Sequence, residues 1–478
     1  MDQPDQPPAR PDAAAMFANP AAIDSNAGDF RSVLYTVDRE GRRKWIYAHI
    51  VQGAWRRWRQ WVSVLLIGFY LALPFLTVGG RPFLRFDLPR RQFWIGGQVF
   101  WPQDFNYFLL LFLIGVVGTL LAVALLGRVY CGWLCPHNVF LEMVFRPIER
   151  LVQGDAFTRA RKDREGRGGA GRALTFALFV LVSGALANTA TALFVGTEAF
   201  AWGLVVDPVA HPAAALFFAF AFVLILFNFS WFREQTCTIV CPYGRLQSVM
   251  LDPHSLVVGY DQRRGEPRGR LGTTRGDCID CKLCVAVCPT GIDIRNGNQL
   301  ECIHCSGCID ACDAVMTKLG KPAGLVRYTS EIELAGGRRL CIRPRTVIYA
   351  LVATVLIGVA TWRILHREDI VATMLRPSSM PVFADNAGVQ MVRQPVSFSL
   401  VNKTASEHRL TPSLPAHPDA RIYLQQPVVV VLANQRVELT PTIDLPAAAF
   451  GPGDLRTTLL FVREDGQRLE LPVLLRRP

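Results

Sequence analysis

Five uncharged apolar runs punctuate the chain. They extend from Trp61 to about Val78, Tyr107 to Gly127, Ala173 to about Gly196, Pro212 to Phe232 and Thr346 to Trp362. At about 1.5 Å per residue, such runs are long enough to span a hydrocarbon core of roughly 30 Å as helices. The fifth is the shortest, and Ile364 and Leu365 extend it if Arg363 snorkels to the surface. Beyond about residue 385 the pattern changes. Val396–Leu400 alternates, and Val428–Leu432, Val437–Leu439, Thr457–Val462 and Leu469–Leu475 are short apolar or alternating runs separated by Gly, Pro, Asn and Asp. That punctuation predicts an exported β-sandwich of immunoglobulin-like size.

Composition agrees with a bilayer protein: of 478 residues, 51% are hydrophobic and only 19% charged. The net charge of +12 does not point to nucleic acid. The basic residues flank the apolar runs, and no nucleic-acid motif accompanies them. Arg56, Arg57 and Arg59 precede the first run, and nine Lys and Arg lie between Arg128 and Arg172. Arg338, Arg339, Arg343 and Arg345 precede the fifth run, while the loop holding Glu198 and Asp207 has no basic residue. The positive-inside rule then places the N-terminus in the cytoplasm and the C-terminus outside a bacterial inner membrane. Arg81, Arg85, Arg90 and Arg91 dissent, but Phe83, Phe86, Phe93, Trp94, Phe100 and Trp101 share their loop, which suggests an aromatic hairpin at the interface. Residues 1–30 are rich in Pro, Ala and Asp, read as a disordered cytoplasmic tail, and show no signal-peptide core.

All thirteen cysteines fall on the expected cytoplasmic side or its membrane edge, where a reducing compartment keeps thiols available as ligands. Cys278, Cys281, Cys284 and Cys288 form C-x2-C-x2-C-x3-C followed by Pro289, and Cys302, Cys305, Cys308 and Cys312 repeat the spacing. Three cysteines at i, i+3 and i+6 let one loop wrap a [4Fe–4S] cubane, and the fourth reaches the other cubane. Cys278, Cys281, Cys284 and Cys312 are therefore expected to hold one cluster, and Cys302, Cys305, Cys308 and Cys288 the second. Zinc favours two well-separated CxxC pairs and fits this spacing poorly. Asp313 stands where a proline usually follows the last cysteine.

Two further pairs sit at the membrane edge. Cys131/Cys135 lie in CGWLCP and Cys237/Cys241 in CTIVCP, with an offset of 106 residues between the motifs. Each follows an apolar run, which suggests two related helix hairpins side by side. An i, i+4 spacing predicts one helical face, with Pro136 and Pro242 starting new helices. Val139, Phe140, Met143, Val144, Ile148 and Leu151 make the next stretch amphipathic. Four soft thiols there are candidate Cu(I) ligands, a redox dithiol or a quinol site, and buried packing is the plainer alternative. His137 is expected to be an unligated interfacial histidine, His304 to tune or pack, and Cys341 to be structural. There is no CxxCH haem site or P-loop.

The stretches VLYTVDREGRRKWIY, CGWLCPHNVFLE, CTIVCPYGRLQSVM and CIDCKLCVAVCPTGIDIRNGNQLECIHCSGCIDACD together resemble the cytochrome c oxidase accessory proteins of the FixG/RdxA/CcoG type. The likeness covers nearly all of the chain after about residue 30. It implies a multi-domain membrane protein: a five-helix transmembrane α bundle, a cytoplasmic 2[4Fe–4S] ferredoxin-like insert and an exported immunoglobulin-like β-sandwich. The expected boundaries are 1–57 for the tail, 58–250 for four helices, 251–344 for the cluster domain, 345–366 for the fifth helix and 367–478 for the exported domain. The resemblance further implies reduction of Cu(II) to Cu(I) while a cbb3-type oxidase is assembled. Cys131, Cys135, Cys237 and Cys241 are then the copper or redox cysteines, with copper ions, lipid, oxidase assembly components and an electron donor as partners. A quinol dehydrogenase with the same motifs is one rival, although that group usually lacks an exported β-domain. An assembly factor with purely structural clusters is the other.

Overall fold

The computed structural model describes residues 43–88, 91–166, 169–197, 209, 211–269, 276–375, 380–386, 389–404, 406–424, 426–451 and 453–477. Most of the expected N-terminal tail, Arg90, Arg167 and the loop of Glu198 and Asp207 lie outside them.

Among the described residues, five helices are long and apolar enough to cross a membrane: Ala54–Phe75, Pro102–Leu126, Gly169–Val195, Pro212–Phe232 and Pro344–Leu365. Their regular α-helical parts are α1 (Ala54–Ala72), α2 (Phe105–Leu126), α7 (Gly169–Val195), α8 (Pro212–Phe227) and α12 (Pro344–Leu365). The fifth helix carries Arg363 in its last turn, as expected. The first begins well before Trp61, and the third before Ala173.

The early start of α1, through three arginines, has a cause remote in sequence. The N–H groups of Trp55 and Arg56 donate to the two carboxylate oxygens of Asp310 at 3.2 and 2.8 Å. Unpaired N–H groups at a helix start need such a partner. A Cβ on Gly53 would lie 2.1 Å from Asp310 Cγ, so only glycine lets the carboxylate reach the helix end. Asp310→Ala and Gly53→Ala are each expected to lower stability by about 0.5–2 kcal/mol, the range for a lost N-cap. Thermal unfolding of the detergent-solubilised chain measures this, and unchanged midpoints in both variants contradict the cap.

The loop after α1 contains a hairpin of β1 (Leu84–Asp87) and β2 (Gln92–Ile95), in which Phe86 faces Phe93 across the strands. The dissenting Arg85 donates to the Val195 carbonyl at the end of α7, at 2.8 Å. A cation there satisfies an orphan carbonyl and complements the helix dipole.

Short helices follow α2: α3 (Val129–Trp133), α4 (Pro136–Phe140), a π turn at Leu141–Phe145, α5 (Arg146–Gln153) and α6 (Ala156–Arg164). The π turn re-aims the amphipathic face: Phe140, Leu141 and Phe145 pack with Phe179, Leu186 and Phe229, while Leu151 is exposed. Phe145 and Phe229 stack with centroids 4.3 Å apart. After α8 a π turn (Asn228–Phe232) and a second one (Thr236–Val240) lead to α9 (Pro242–Met250).

The cluster-binding segment is closed by β3 (Val257–Tyr260) paired antiparallel with β4 (Val326–Thr329). Between them lie α10 (Leu283–Ala286) and α11 (Gly307–Lys318). Val258, Ile292, Ile309, Met316 and Leu325 form their core.

The C-terminal region is β-rich. Its strands are β5 (Ile370–Met374), β6 (Val382–Asn386), β7 (Val389–Pro395), β8 (Phe398–Asn402), β9 (His408–Ser413), β10 (Arg421–Tyr423), β11 (Val429–Val431), β12 (Arg436–Leu439), β13 (Thr442–Pro446), β14 (Leu455–Arg463) and β15 (Arg468–Leu475). They form antiparallel sheets ordered β10-β13-β7-β6, β12-β8-β5 and β11-β9-β14-β15. One core joins them, with Phe398, Leu400, Ile443 and Phe461 fully buried. The β-structure thus starts at Ile370, earlier than the alternation near residue 385 suggested.

Candidate metal centre

The two cysteine loops share one backbone path. Asp280 and Lys282 have φ of 52° and 55°, and His304 and Ser306 have φ of 52° and 62°. These are the second and fourth residues after Cys278 and Cys302, so each loop turns twice through the left-handed region. Non-glycine residues accept that conformation at a cost of roughly 1–2 kcal/mol, and here it turns all three thiols of a loop toward one space.

Two cavities result. One, of about 370 Å³, is lined by Cys278, Cys281, Cys284 and Cys312 with Tyr260 and Arg295. The other, of about 350 Å³, is lined by Cys288, Cys302, Cys305 and Cys308 with His304, and Cys284 also borders it. Among the described residues, no three His, Cys, Asp or Glu side chains are drawn close enough for a single ion. Thiols spread around a cavity suit a cubane, in which each sulfur meets a different iron. Burial pushes Cys288 up to about 11 and Cys302 and Cys312 up to about 12, and raises Cys284 and Cys308 well above the thiol range. Thiolates are stable here only beside bound positive charge. The residues present therefore fit two iron–sulfur clusters.

Around the first cavity the buried cation is paired, and the half-buried Lys282 also lines it. Arg295 donates to Asp293 through two nitrogens at 2.8 and 2.6 Å and pairs with Asp280 at 2.5 Å. Asp313 replaces the usual proline with a tether: its Oδ1 accepts from the Gly324 N–H at 2.7 Å. At the second cavity, His304 Nδ1 accepts from the Arg128 N–H at 3.2 Å. Its ring proton is therefore on Nε2, and burial, then Arg128, lowers its pKa to about 3. That Nε2 is buried without a partner.

The remaining four cysteines lie within electrostatic reach of one another, without three of them being drawn together as ligands of one ion. Each of Cys131, Cys135, Cys237 and Cys241 interacts electrostatically with the other three. Their expected helical face is not what joins them. Cys131 lies in α3, but Cys135 is extended (φ −62°, ψ 120°) and caps α4; Cys241 is likewise extended (φ −64°, ψ 108°) after the π turn that holds Cys237. The cause is Pro136 and Pro242, since a residue before proline is pushed out of the helical region. Asn138 and Gln247 tie the motifs together. Asn138 Nδ2 donates to the Cys131 carbonyl at 2.6 Å, the Cys237 thiol donates to Asn138 Oδ1 at 3.7 Å, and the Cys131 thiol donates to Gln247 Oε1 at 3.2 Å. Burial pushes Cys131 up to about 11 and also raises Cys135 and Cys237, so these three thiols are neutral near pH 7.

His137 is no free ligand. Its Nε2 lies 2.9 Å from the Arg233 carbonyl, to which it donates, and Nδ1 lies 3.0 Å from Asn228 Nδ2. Cys341 is exposed.

The first of the two motifs, CGWLCP, abuts the second cluster loop. A Cβ on Gly132 would lie 2.5 Å from the Ile303 carbonyl oxygen and 3.0 Å from Cys305 N and Cα. Tyr328 OH donates to the His304 carbonyl at 2.7 Å and receives a bond from Trp133 Nε1 at 3.0 Å. Gly132, Trp133, Asn138, Gln247 and Tyr328 were not singled out from the sequence. A glycine inside CGWLCP was the one local hint.

Behind the quartet lies a buried ionic network. Glu234 pairs with Arg43 and Arg146, Glu142 pairs with Arg146, and Glu149 pairs with Arg159 and Arg233.

Residues 232–331 match the family described as a 4Fe-4S dicluster domain, and residues 108–153 match a 4Fe-4S binding domain. The second segment contains Cys131 and Cys135. Protein RdxA of Cereibacter sphaeroides is 33% identical over 437 residues, covering 87% of this chain and 88% of RdxA. Protein RdxB of the same organism is 34% identical over 466 residues, covering 90% and 95%. Nitrogen fixation protein FixG of Rhizobium meliloti is 35% identical over 339 residues, covering 66% of this chain and 62% of FixG.

Proposed function

The chain belongs to the family of RdxA, RdxB and FixG, and we propose that within it this protein reduces Cu(II) to Cu(I) at the quartet Cys131, Cys135, Cys237 and Cys241. It is a multi-pass membrane iron–sulfur protein of electron transfer. The observation that supports the copper reading is the contact of Gly132, next to Cys131, with the Cys305 loop, which brings one of the two cysteine motifs against a cluster site.

We assign Cys278, Cys281, Cys284 and Cys312 to one [4Fe–4S] cluster, and Cys288, Cys302, Cys305 and Cys308 to the other. When bound, such clusters supply electrons singly. The chain's own residues do the rest. The Cys305 loop and Gly132 keep the relay short. Asn138 and Gln247 hold the two motifs in register. The thiols offer the soft ligands that Cu(I) prefers and Cu(II) does not. One electron converts one Cu(II) to Cu(I), and thiols that become ligands release their protons. A cytoplasmic one-electron reductant supplies that electron.

In the proposed topology the clusters face the cytoplasm of a bacterial inner membrane. The Lys and Arg distribution supports this, as does the absence of cysteine from residues 342–478. The C-terminal region is then an exported immunoglobulin-like sandwich that meets components of cbb3-type oxidase assembly. Replacing all four quartet cysteines with serine is expected to abolish cupric reduction while the cluster absorbance stays intact. Unchanged reduction discards the quartet.

A further inference from the structure

The two cluster sites differ in the charge that surrounds them. At the Cys281 site the buried cation Arg295 is neutralised by Asp293 and Asp280, Asp313 faces Cys312, and the one other cation lining the cavity, Lys282, is only half-buried and so screened by solvent. At the Cys305 site two buried arginines form no ion pair among the described residues. Arg59, on α1, is 4% exposed; its Nε donates to the Gly132 carbonyl at 2.7 Å and its Nη2 has no partner. It lines, with Cys305, a cavity of about 460 Å³ that also holds Arg56, Arg146, Glu142 and Asp310. Of those carboxylates, Glu142 pairs with Arg146 and Asp310 caps α1. Arg128, at the end of α2, is 3% exposed and donates to the carbonyls of Leu300 and Gly244, while its Nε is unpartnered. Glu301 is the acidic group that feels Arg128, and burial raises its carboxyl.

A buried guanidinium without a counter-charge is unfavourable. A cubane held by four thiolates is an anion that becomes more negative on reduction, and nearby positive charge raises its reduction potential. We propose that Arg59 and Arg128 act as electrostatic positioning residues that hold the Cys305-site cluster at a higher reduction potential than the Cys281-site cluster, so that electrons run from the Cys281 site to the Cys305 site and on to the quartet. This rests on the two-cluster assignment above. Each transfer moves one electron: the Cys281 site is oxidised as the Cys305 site is reduced, and Cu(II) is the terminal oxidant. The buried Nε2–H of His304 adds a donor to the same site and none to the other.

The test is an anaerobic potentiometric titration of the full chain in detergent, read by EPR of the reduced clusters. Wild type is expected to show two midpoints. Arg59→Gln and Arg128→Gln are each expected to lower the upper midpoint by at least a tenfold change in the one-electron equilibrium, about 59 mV. The lower midpoint stays in place, and Arg59→Lys restores the upper one. Movement of the lower midpoint alone, equal movement of both, or no movement overturns the proposal. If Arg59→Gln does not assemble, Arg128→Gln decides by the same criterion. Wild type lacking a cluster signal or inorganic sulfide sinks the cluster assignment itself, a distinct result.

Discussion

Cys312→Ser is expected to strip about half of the iron, and to strip it from the cluster of Cys278, Cys281 and Cys284 rather than from the loop it follows in sequence. The reason is placement: Cys312 lies on α11 yet lines the cavity of the other loop, and Cys288 does the reverse. Residues that serve one cluster are not additive in their effects. The Cys281→Ser/Cys312→Ser double variant should therefore retain as much iron as either single variant. Cys281→Ser/Cys288→Ser should retain almost none. Iron and sulfide analysis of anaerobically purified protein reads both. Complete loss in the first double variant and half retention in the second is the pattern of loops that each use their own fourth cysteine.

The second large effect is expected at Gly132→Val. A Cβ there meets backbone, the Ile303 carbonyl oxygen at 2.5 Å and Cys305 N and Cα at 3.0 Å, and backbone does not yield as a side-chain end does. Overpacking of this kind costs about 1–3 kcal/mol. The strain is relieved only by moving the Cys305 loop away from the quartet. Reduction of Cu(II) by pre-reduced protein should slow at least tenfold, equivalent to about 1.4 kcal/mol of barrier. Both clusters should remain, because no cysteine is replaced and the Cys305 loop moves as a unit. Rapid-mixing kinetics with cluster absorbance as the readout checks this, and an unaltered rate with intact clusters would remove Gly132 from the relay.

What the sequence made legible follows from how local each determinant is. The two cysteine loops were readable because three ligands of a cubane come from one short loop and the fourth cysteine follows it closely in sequence. The apolar runs were readable because a bilayer demands length. The start of α1 was hidden, since its cap, Asp310, comes from the cluster domain. The helical-face expectation for Cys131/Cys135 failed because Pro136 acts on Cys135 more strongly than the i, i+4 spacing does. In the C-terminal region, Leu469–Leu475 alternates and was seen. His408–Ser413 carries Pro412 and polar residues, and buries His408 and Leu410 through partners across the sheet, so it left no such trace. The meeting of the two CxxxCP motifs through Asn138 and Gln247 is tertiary and had no signal beyond the repeat.

The most direct measurement follows anaerobic, dithionite-reduced protein, freed of excess reductant, as Cu(II) is added stepwise. EPR reads the reduced clusters and a Cu(I)-specific chelator reads the product. The account predicts that the reduced-cluster signal disappears in step with Cu(I), one electron for each copper. Clusters that stay reduced while Cu(II) persists, or copper reduction that proceeds with the cluster signal unchanged, contradict it.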